Sequence, residues 1–213
     1  MVTQKVILLG GGGHAKVLLD ALRLLPVDIL GYTSPRQSAD GRFEADISYL
    51  GTDEEIASRF DLNVKLVNAI GAAGLPDKRA EVYARFKQWG YSFLQVIHPS
   101  AVIGTGVRLG EGVQIMAGAV IQPDTTIGAN ALINTRASVD HDCQIGDHAH
   151  IAPGTTLCGA VSVGHTTHIG AGTTVIQGVH IGRRCLIGAG SLVIRDLADG
   201  KKAYGVPAKE VSW

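Results

Sequence analysis

The chain has 213 residues, and its 19 Lys and Arg residues balance its 19 Asp and Glu residues to a formal net charge of zero. This balance gives no electrostatic reason to expect nucleic acid or an anionic membrane surface as a partner. With 46% hydrophobic and 18% charged residues, the composition is typical of a folded globular protein and excludes a disordered one.

The sequence also indicates a compartment. No apolar run reaches the length of a membrane span, and the N-terminus lacks a signal-peptide cleavage pattern. Three cysteines do not suggest a disulfide framework, and we expect them to be reduced thiols. These features predict a cytoplasmic protein with no membrane partner.

Alternating strands and helices are predicted over residues 1–95. The first strand, KVILL, runs into four glycines, and a helix with apolar residues on one face follows it. A strand–helix–strand order of this kind makes the strands parallel. The further predicted strands are 27–33, 65–71 and 92–98, the helices are 14–25, 52–60 and 75–90, and 34–51 is irregular. We interpret this part as a Rossmann-like α/β domain.

A glycine-rich turn, Gly10–His14, joins the first strand to the first helix. Bare backbone N–H groups and a helix N-terminus at this position favour an anion. Gly10, Gly12 and Ala15 loosely follow a dinucleotide-binding pattern, but Tyr32–Ser34 stand where an acidic residue for an NAD ribose is expected. We therefore predict the diphosphate of a substrate nucleotide here. The alternative is that the glycines only allow close helix–sheet packing.

A six-residue repeat occupies the second half of the chain. From Ile103 to Val193 every sixth residue is Ile, Leu or Val, and the fourth residue after each, from Val107 to Ser191, is small or β-branched. This period predicts a parallel β-helix of hexapeptide repeats, with three repeats per coil and residues 18 apart stacked on one another. Glycines that follow many of the aliphatic residues are expected to supply the unusual φ/ψ values of tight corners. The predicted solenoid covers 96–197, and 198–213 form a tail.

Six histidines of the repeat avoid both inward positions, so we expect them outside the prism or near its corners: His141, His148, His150, His165, His168 and His180. His150 and His168 are 18 residues apart and should stack on successive coils. The spacing of these histidines matches no specific zinc motif, and no metal is expected.

His141 differs from the other histidines because Asp140 and Asp142 flank it. A carboxylate beside an imidazole raises its basicity and fixes its tautomer, as a general base near neutral pH requires. Neighbours on an extended strand point to opposite faces, so Asp142 reaches the ring only where the chain bends. A corner of the solenoid is therefore expected at this point.

Together these features resemble one known family. The Rossmann-like domain, the hexapeptide repeat, the segment NTRASVDHDCQIG and the closing GVPAK are similar to the PglD/NeuD family of bacterial sugar acetyltransferases, over nearly the whole chain. Within that family the likeness is greatest to the enzymes that N-acetylate nucleotide-linked 4-amino sugars, perosamine N-acetyltransferase among them. The resemblance implies a left-handed β-helix, a homotrimer, acetyl-CoA in the cleft between adjacent subunits, and a role in polysaccharide biosynthesis.

The resemblance also assigns roles to residues. It implies that His141 is the catalytic base and that Asp142 assists it. For acetyl-CoA it implies contacts from His150, Gly159, Ala171 and Ala189, and for the nucleotide sugar from Gly12, Gly13, His14, Ser34 and Gly71. Many relatives have an acidic pair where Ser34 and Pro35 stand, which leaves the nucleobase open.

The expected reaction is direct acetyl transfer to the 4-amino group of a GDP-perosamine-type or UDP-4-amino-sugar substrate. Three alternatives remain at this point. They are O-acetylation of sialic acid or another sugar, a metal-dependent enzyme like the γ-carbonic anhydrases, and a non-catalytic sugar-nucleotide binder.

Overall fold

A computed structural model describes residues 3–36 and 47–212. Part of the stretch predicted to be irregular, 37–46, lies outside the described residues. Among the residues described, no helix is long and apolar enough to cross a membrane.

The N-terminal part is a parallel four-stranded sheet in the order β2-β1-β3-β4. Alternate residues of the central strand serve two cores: Val6 and Leu8 pack with the first helix, and Ile7 and Leu9 pack with the third. The elements are β1 Gln4–Leu9, α1 Gly13–Leu22, β2 Val27–Thr33, α2 Asp53–Arg59, β3 Lys65–Asn68, α3 Asp77–Gln88 and β4 Ser92–Phe93. The α/β architecture expected from the sequence is confirmed.

Two predicted elements end differently. Helix α1 stops at Leu22 rather than residue 25, because the N–H groups of Leu24 and Leu25 bond to carbonyls three residues back in a tightened last turn before Pro26. The strand predicted over 92–98 is wrong as a single element. Ser92–Phe93 joins the N-terminal sheet, whereas Val96–Ile97 pairs with the solenoid, so two different sheets use the two ends of this segment.

The second part is a parallel β-solenoid with three faces, which we number in chain order. The first face contains Val96–Ile97 (β5), Gln114–Ile115 (β8), Leu132–Ile133 (β11), His150–Ile151 (β14), His168–Ile169 (β17), Leu186–Ile187 (β20), Lys202–Tyr204 (β22) and Lys209–Val211 (β23). The second face contains Val102–Ile103 (β6), Val120–Ile121 (β9), Ser138–Val139 (β12), Thr156–Leu157 (β15), Thr174–Val175 (β18) and Leu192–Val193 (β21). The third face contains Arg108–Leu109 (β7), Thr126–Ile127 (β10), Gln144–Ile145 (β13), Ser162–Val163 (β16) and His180–Ile181 (β19).

The core of the solenoid follows the predicted register. Residues 18 apart pair in parallel, as Ile133 does with Ile151, and the inward aliphatic residues form one continuous buried cluster. Thr155 and Thr167 occupy inward small-residue positions and donate their hydroxyls to the carbonyls of Gly170 and Gly182, at 3.1 and 2.7 Å. The buried hydroxyls are therefore satisfied, and polar residues are tolerated in this core.

The glycines that follow the aliphatic residues are required for a different reason from the one predicted. Gly110 and Gly146 do not have positive φ; left-handed φ values fall two residues later, at Gly112 and His148. A Cβ on Gly110 would lie 2.5 Å from the backbone N of Ala129 in the next coil. Close approach of successive coils requires these glycines, rather than an unusual backbone conformation.

A buried arginine of α3 joins the two parts of the chain. Arg79 is fully buried, and it donates from Nη1 to the carbonyls of Asn68 and Ile70 and from Nε to the carbonyl of Asn130 in the solenoid. Burial lowers the pKa of Arg79 to about 9, which leaves it charged at neutral pH. One guanidinium therefore fixes the N-terminal sheet on the first face.

We expect Arg79→Met to lower the free energy of unfolding by roughly 2–4 kcal/mol, because three buried carbonyls lose a charged donor. Urea unfolding followed by circular dichroism measures this. The matched control is Gln88→Met, an exposed position on the same helix. Equal free energies for the two variants would contradict the assigned role of Arg79.

Candidate active site

His141 lies at the corner between the second and third faces. Asp142 adopts a φ of 58°, which bends the chain and brings its Oδ2 to 2.7 Å from Nδ1 of His141. Asp140 accepts a hydrogen bond from the His141 backbone N–H at 2.8 Å. The bend required by the sequence argument is therefore present. With Nδ1 bound to Asp142, the Nε2 atom of this ring is left to accept a proton.

The electrostatics of this corner favour a basic imidazole. The hydrogen bond to Asp142, followed by the charge of Asp140, raises the pKa of His141 above its ordinary value. The His141 side chain is 59% exposed, so a substrate can reach it from solvent or from a second molecule. The pair has the chemistry of a general base with an orienting carboxylate.

His150 is in a different environment, on the first face beneath the N-terminal domain. It is 4% exposed, its Nε2 lies 3.1 Å from the Asn134 side-chain amide, and its ring packs edge-to-face against that of His168 at 4.7 Å between centroids. Burial, then the charges of His168 and Arg79, lower the pKa of His150 to about 3. This ring is therefore neutral. The side-chain oxygen of Asn134 accepts a hydrogen bond from the Thr135 N–H, so the side-chain nitrogen of Asn134 faces His150 and donates to its Nε2. The proton of the neutral His150 ring is therefore on Nδ1.

The expected stacking of His150 and His168 is confirmed, but both rings are more buried than the repeat pattern suggested. Their side chains do point away from the solenoid core. The N-terminal domain covers that face, and no periodicity within the repeat could indicate this.

The glycine turn lies against the same first face. The Nε2 of His14 is 2.9 Å from Oε1 of Gln114 in the solenoid, and a Cβ on Gly71 would lie 3.2 Å from Cβ of His14. Burial, then the charge of Arg79, lower the pKa of His14 to about 4. Gly12 and Gly13 are exposed, with open space around them. The turn and Gly71 therefore form one surface beside the buried arginine.

A cavity of about 320 Å³ opens at the carboxyl ends of the N-terminal strands. Ser34 lies in it, as does Asp53, whose carboxylate accepts a hydrogen bond from the Thr33 hydroxyl at 2.6 Å and pairs with Arg85. Sequence reasoning missed Asp53, Lys78 and Arg85 as cavity residues. Asp53 lies in the first turn of the helix that Thr52 caps. Because helices of an α/β domain begin near the carboxyl ends of the strands, this position was the signal in the sequence that Asp53 could line a cavity there.

A second cavity, about 540 Å³, runs along the third face toward its corner with the first face. Its lining includes Gln144, Ser162, His165, His180 and Arg183. The sequence did not predict it. Among the described residues, no group of three or more His, Cys, Asp or Glu side chains is placed to hold a metal ion.

Within one chain the predicted site residues form separate groups. His141, Asp142 and Gly159 share the corner between the second and third faces. On a three-faced prism this corner lies opposite the first face, where His150, the glycine turn and Gly71 are found. The exposed residues Ala171 and Ala189 lie at the corner between the first and second faces.

Comparison with family models gives three matches. Residues 5–86 match the PglD N-terminal domain, residues 124–159 match the bacterial transferase hexapeptide (six repeats), and residues 160–195 match the hexapeptide repeat of succinyl-transferase. A search of curated proteins found no match.

Solved structures match over the whole length. A histidine mutant of perosamine N-acetyltransferase from Caulobacter crescentus, in complex with CoA and GDP-perosamine, is 38% identical, with 99% of this chain and 98% of that chain covered and a TM-score of 0.90. The acetyltransferase domain of PglB from Neisseria gonorrhoeae, in complex with acetyl coenzyme A, is 27% identical, with coverage of 99% and 100% and a TM-score of 0.89. WeeI from Acinetobacter baumannii, at 21% identity, coverage of 98% and 100% and a TM-score of 0.87, shares the fold. The chain therefore belongs to the PglD/NeuD family of bacterial sugar acetyltransferases, built from a PglD N-terminal domain and hexapeptide repeats.

Proposed function

We propose that this enzyme uses acetyl-CoA to acetylate the 4-amino group of a nucleotide-linked deoxy-amino sugar, of the GDP-perosamine or UDP-4-amino-sugar type. One observation carries the proposal: an exposed His141–Asp142 pair stands at a solenoid corner in a chain 38% identical to a perosamine N-acetyltransferase. The three functional units are residues 1–95 for the nucleotide sugar, 96–197 for acetyl transfer and 198–213 as the tail. We also propose a cytoplasmic location, since three cysteines without a disulfide framework suit a reducing compartment.

In this mechanism His141 is the general base. Its Nε2 takes the proton from the sugar amine as the nitrogen forms its bond to the acetyl carbon and the carbon–sulfur bond of the thioester breaks. Asp142 holds Nδ1–H and stabilises the imidazolium that forms. Cys143 is buried in the core and its pKa is raised to about 11 by burial, which argues against an acyl-enzyme at that thiol.

The remaining assignments rest on the family resemblance and on environment. His150 is assigned to acetyl-CoA by the family resemblance, and because its ring is neutral it would not compete with His141 for the amine proton. Ala171 and Ala189 are exposed, so the backbone at these two positions is available to the coenzyme, and Gly159 is assigned to it because it lies beside His141.

For the nucleotide sugar we assign the diphosphate to Gly12, Gly13, His14 and Gly71. The N-terminus of α1 supplies unpaired N–H groups there, and the buried positive charge of Arg79 favours an anion nearby. The nucleoside is placed in the strand-end cavity with Ser34.

A homotrimer explains why the two halves of the site are apart in one chain. The outward positions of the second face are apolar toward its two ends, at Val102, which is 59% exposed, Val120 and Leu192, and are Ser138, Thr156 and Thr174 between them. None of these six positions carries a charge, which suits a face that packs against a neighbouring prism. Packing of neighbouring prisms would bring the His141 corner of one subunit to the coenzyme and sugar residues of the next.

A coupled assay of CoA release tests the activity. The acceptors are GDP-, UDP- and dTDP-linked 4-amino sugars, with free sialic acid as the alternative. We expect release with an amino-sugar nucleotide. Release with sialic acid alone would indicate O-acetylation, and nucleotide binding without any release would indicate a binding protein. Stoichiometric zinc or iron without acetyl-CoA binding would indicate a metal enzyme.

We expect Gly12→Asp to weaken nucleotide-sugar binding roughly 100-fold, because a carboxylate would face the diphosphate. Aspartate suits a helix N-cap, and no atom lies within 4 Å of a Cβ at Gly12, so folding should be unchanged. Calorimetric titration measures the affinity. Gly12→Asn adds the same volume without the charge and should bind much better than the aspartate variant. Equal losses for both would contradict an anion at this turn.

A further inference from the structure

The corner that holds His141 is a column of stacked residues, one per coil, and Gly159 follows His141 by one coil. The equivalent corner position in each repeat from Ile103 to Val193, at all three corners of the prism, lies two residues after the inward aliphatic residue. Every repeat has a side chain larger than hydrogen there except at Gly159. A single glycine in such a column needs a local reason.

The backbone does not supply that reason. Gly159 is not among the residues with positive φ, and the left-handed conformation of this corner falls on Ala160, at 58°. An alanine would adopt the backbone conformation of Gly159 without strain. The requirement is therefore one of space.

The imidazole of His141 fills that space. A Cβ on Gly159 would lie 2.7 Å from both Cε1 and Nε2 of His141 and 3.4 Å from its Cδ2. Gly159 is itself buried, although it belongs to an outer corner. The ring therefore rests directly on the backbone of the next coil, in a place that any side chain would occupy.

We propose that Gly159 is a positioning residue for His141. Its missing side chain forms a slot that holds the imidazole with Nδ1 on Asp142 and Nε2 turned toward the reacting amine. This role is separate from a backbone contact with the coenzyme, and it rests on the proposed function of His141 as base. Asp142 fixes the ring at one edge, and the slot fixes the plane of the ring.

The test is Gly159→Ala. The methyl group should displace the ring, break its hydrogen bond to Asp142 and lower kcat roughly 100-fold, with little change in KM for acetyl-CoA. In an NMR titration the pKa of His141, raised by Asp142 and Asp140, should return toward its ordinary value. Gly74→Ala is the matched control, since no atom lies within 4 Å of its Cβ and its φ is not positive. This control should leave kcat and the titration unchanged.

Two variants that lack the imidazole of His141 separate the effect of the slot from other effects of Gly159→Ala. In a His141→Asn chain, Gly159→Ala should cause no further fall in the residual kcat. In a His141→Ala chain, where the ring is gone, it should cause no loss of thermal stability. A raised KM with unchanged kcat and an unchanged His141 titration would overturn the slot. So would unfolding of Gly159→Ala in both backgrounds. Full activity of His141→Asn would refute the base assignment, while the NMR titration would still report whether the slot exists.

Discussion

Replacing His141 with alanine will lower kcat by roughly three orders of magnitude, because the attacking amine loses its general base. The side chain is exposed and belongs to no core cluster, so the variant should fold normally. Acetyl-CoA affinity should be nearly unchanged, since the ring contacts the reacting atoms rather than the body of the coenzyme. Single-turnover kinetics and calorimetric titration measure the two quantities. Wild-type turnover in this variant would remove His141 from the mechanism.

The pH profile supplies a control with a defined sign. The active form of a base is neutral, and Asp142 raises the pKa of His141, so the acidic limb of kcat/KM should lie above the ordinary pKa of histidine. Asp142→Asn should move that limb to lower pH and reduce the plateau. An acidic limb that stays in place would mean that another group titrates.

Mixing two inactive variants will restore activity if the site lies between subunits. A His141→Ala chain keeps its glycine turn, and a Gly12→Asp chain keeps its His141–Asp142 pair. Random assembly of equal amounts into trimers should recover about a quarter of the wild-type activity, because each mixed trimer forms one intact site. The chains are unfolded together, refolded and assayed at a substrate concentration below the KM of the Gly12→Asp variant.

The control for this experiment mixes His141→Ala with Asp142→Asn. Both changes damage the same corner, so every site stays impaired and activity should remain the mean of the two variants. Recovery in this control would show that mixing raises activity by a route other than a shared intact site. No recovery in the first mixture, although mass spectrometry shows mixed trimers, would place the whole site within one chain.

The sequence was most informative where structure is periodic. The aliphatic residue at every sixth position fixed the register of the solenoid, and Ile133 and Ile151 pair as that spacing requires. The bend at Asp142 also followed from local geometry, since a neighbouring carboxylate reaches its imidazole only at a corner. By contrast, the segment 92–98 reads as one strand because both of its halves are apolar, and its division between two sheets depends on distant partners.

The sequence alone determined the parallel solenoid, the α/β domain before it and the His141–Asp142 pair, because all three depend on spacings within a few residues or within one repeat. The tertiary structure alone decided that His150 and His168 are buried, that Asp53 lines the strand-end cavity, and that Gly159 holds the ring of His141. Each of these depends on contact between residues that are distant in the chain. The packing of the N-terminal sheet on one face of the prism, and of one coil on the next, creates those contacts, and no local pattern encodes them.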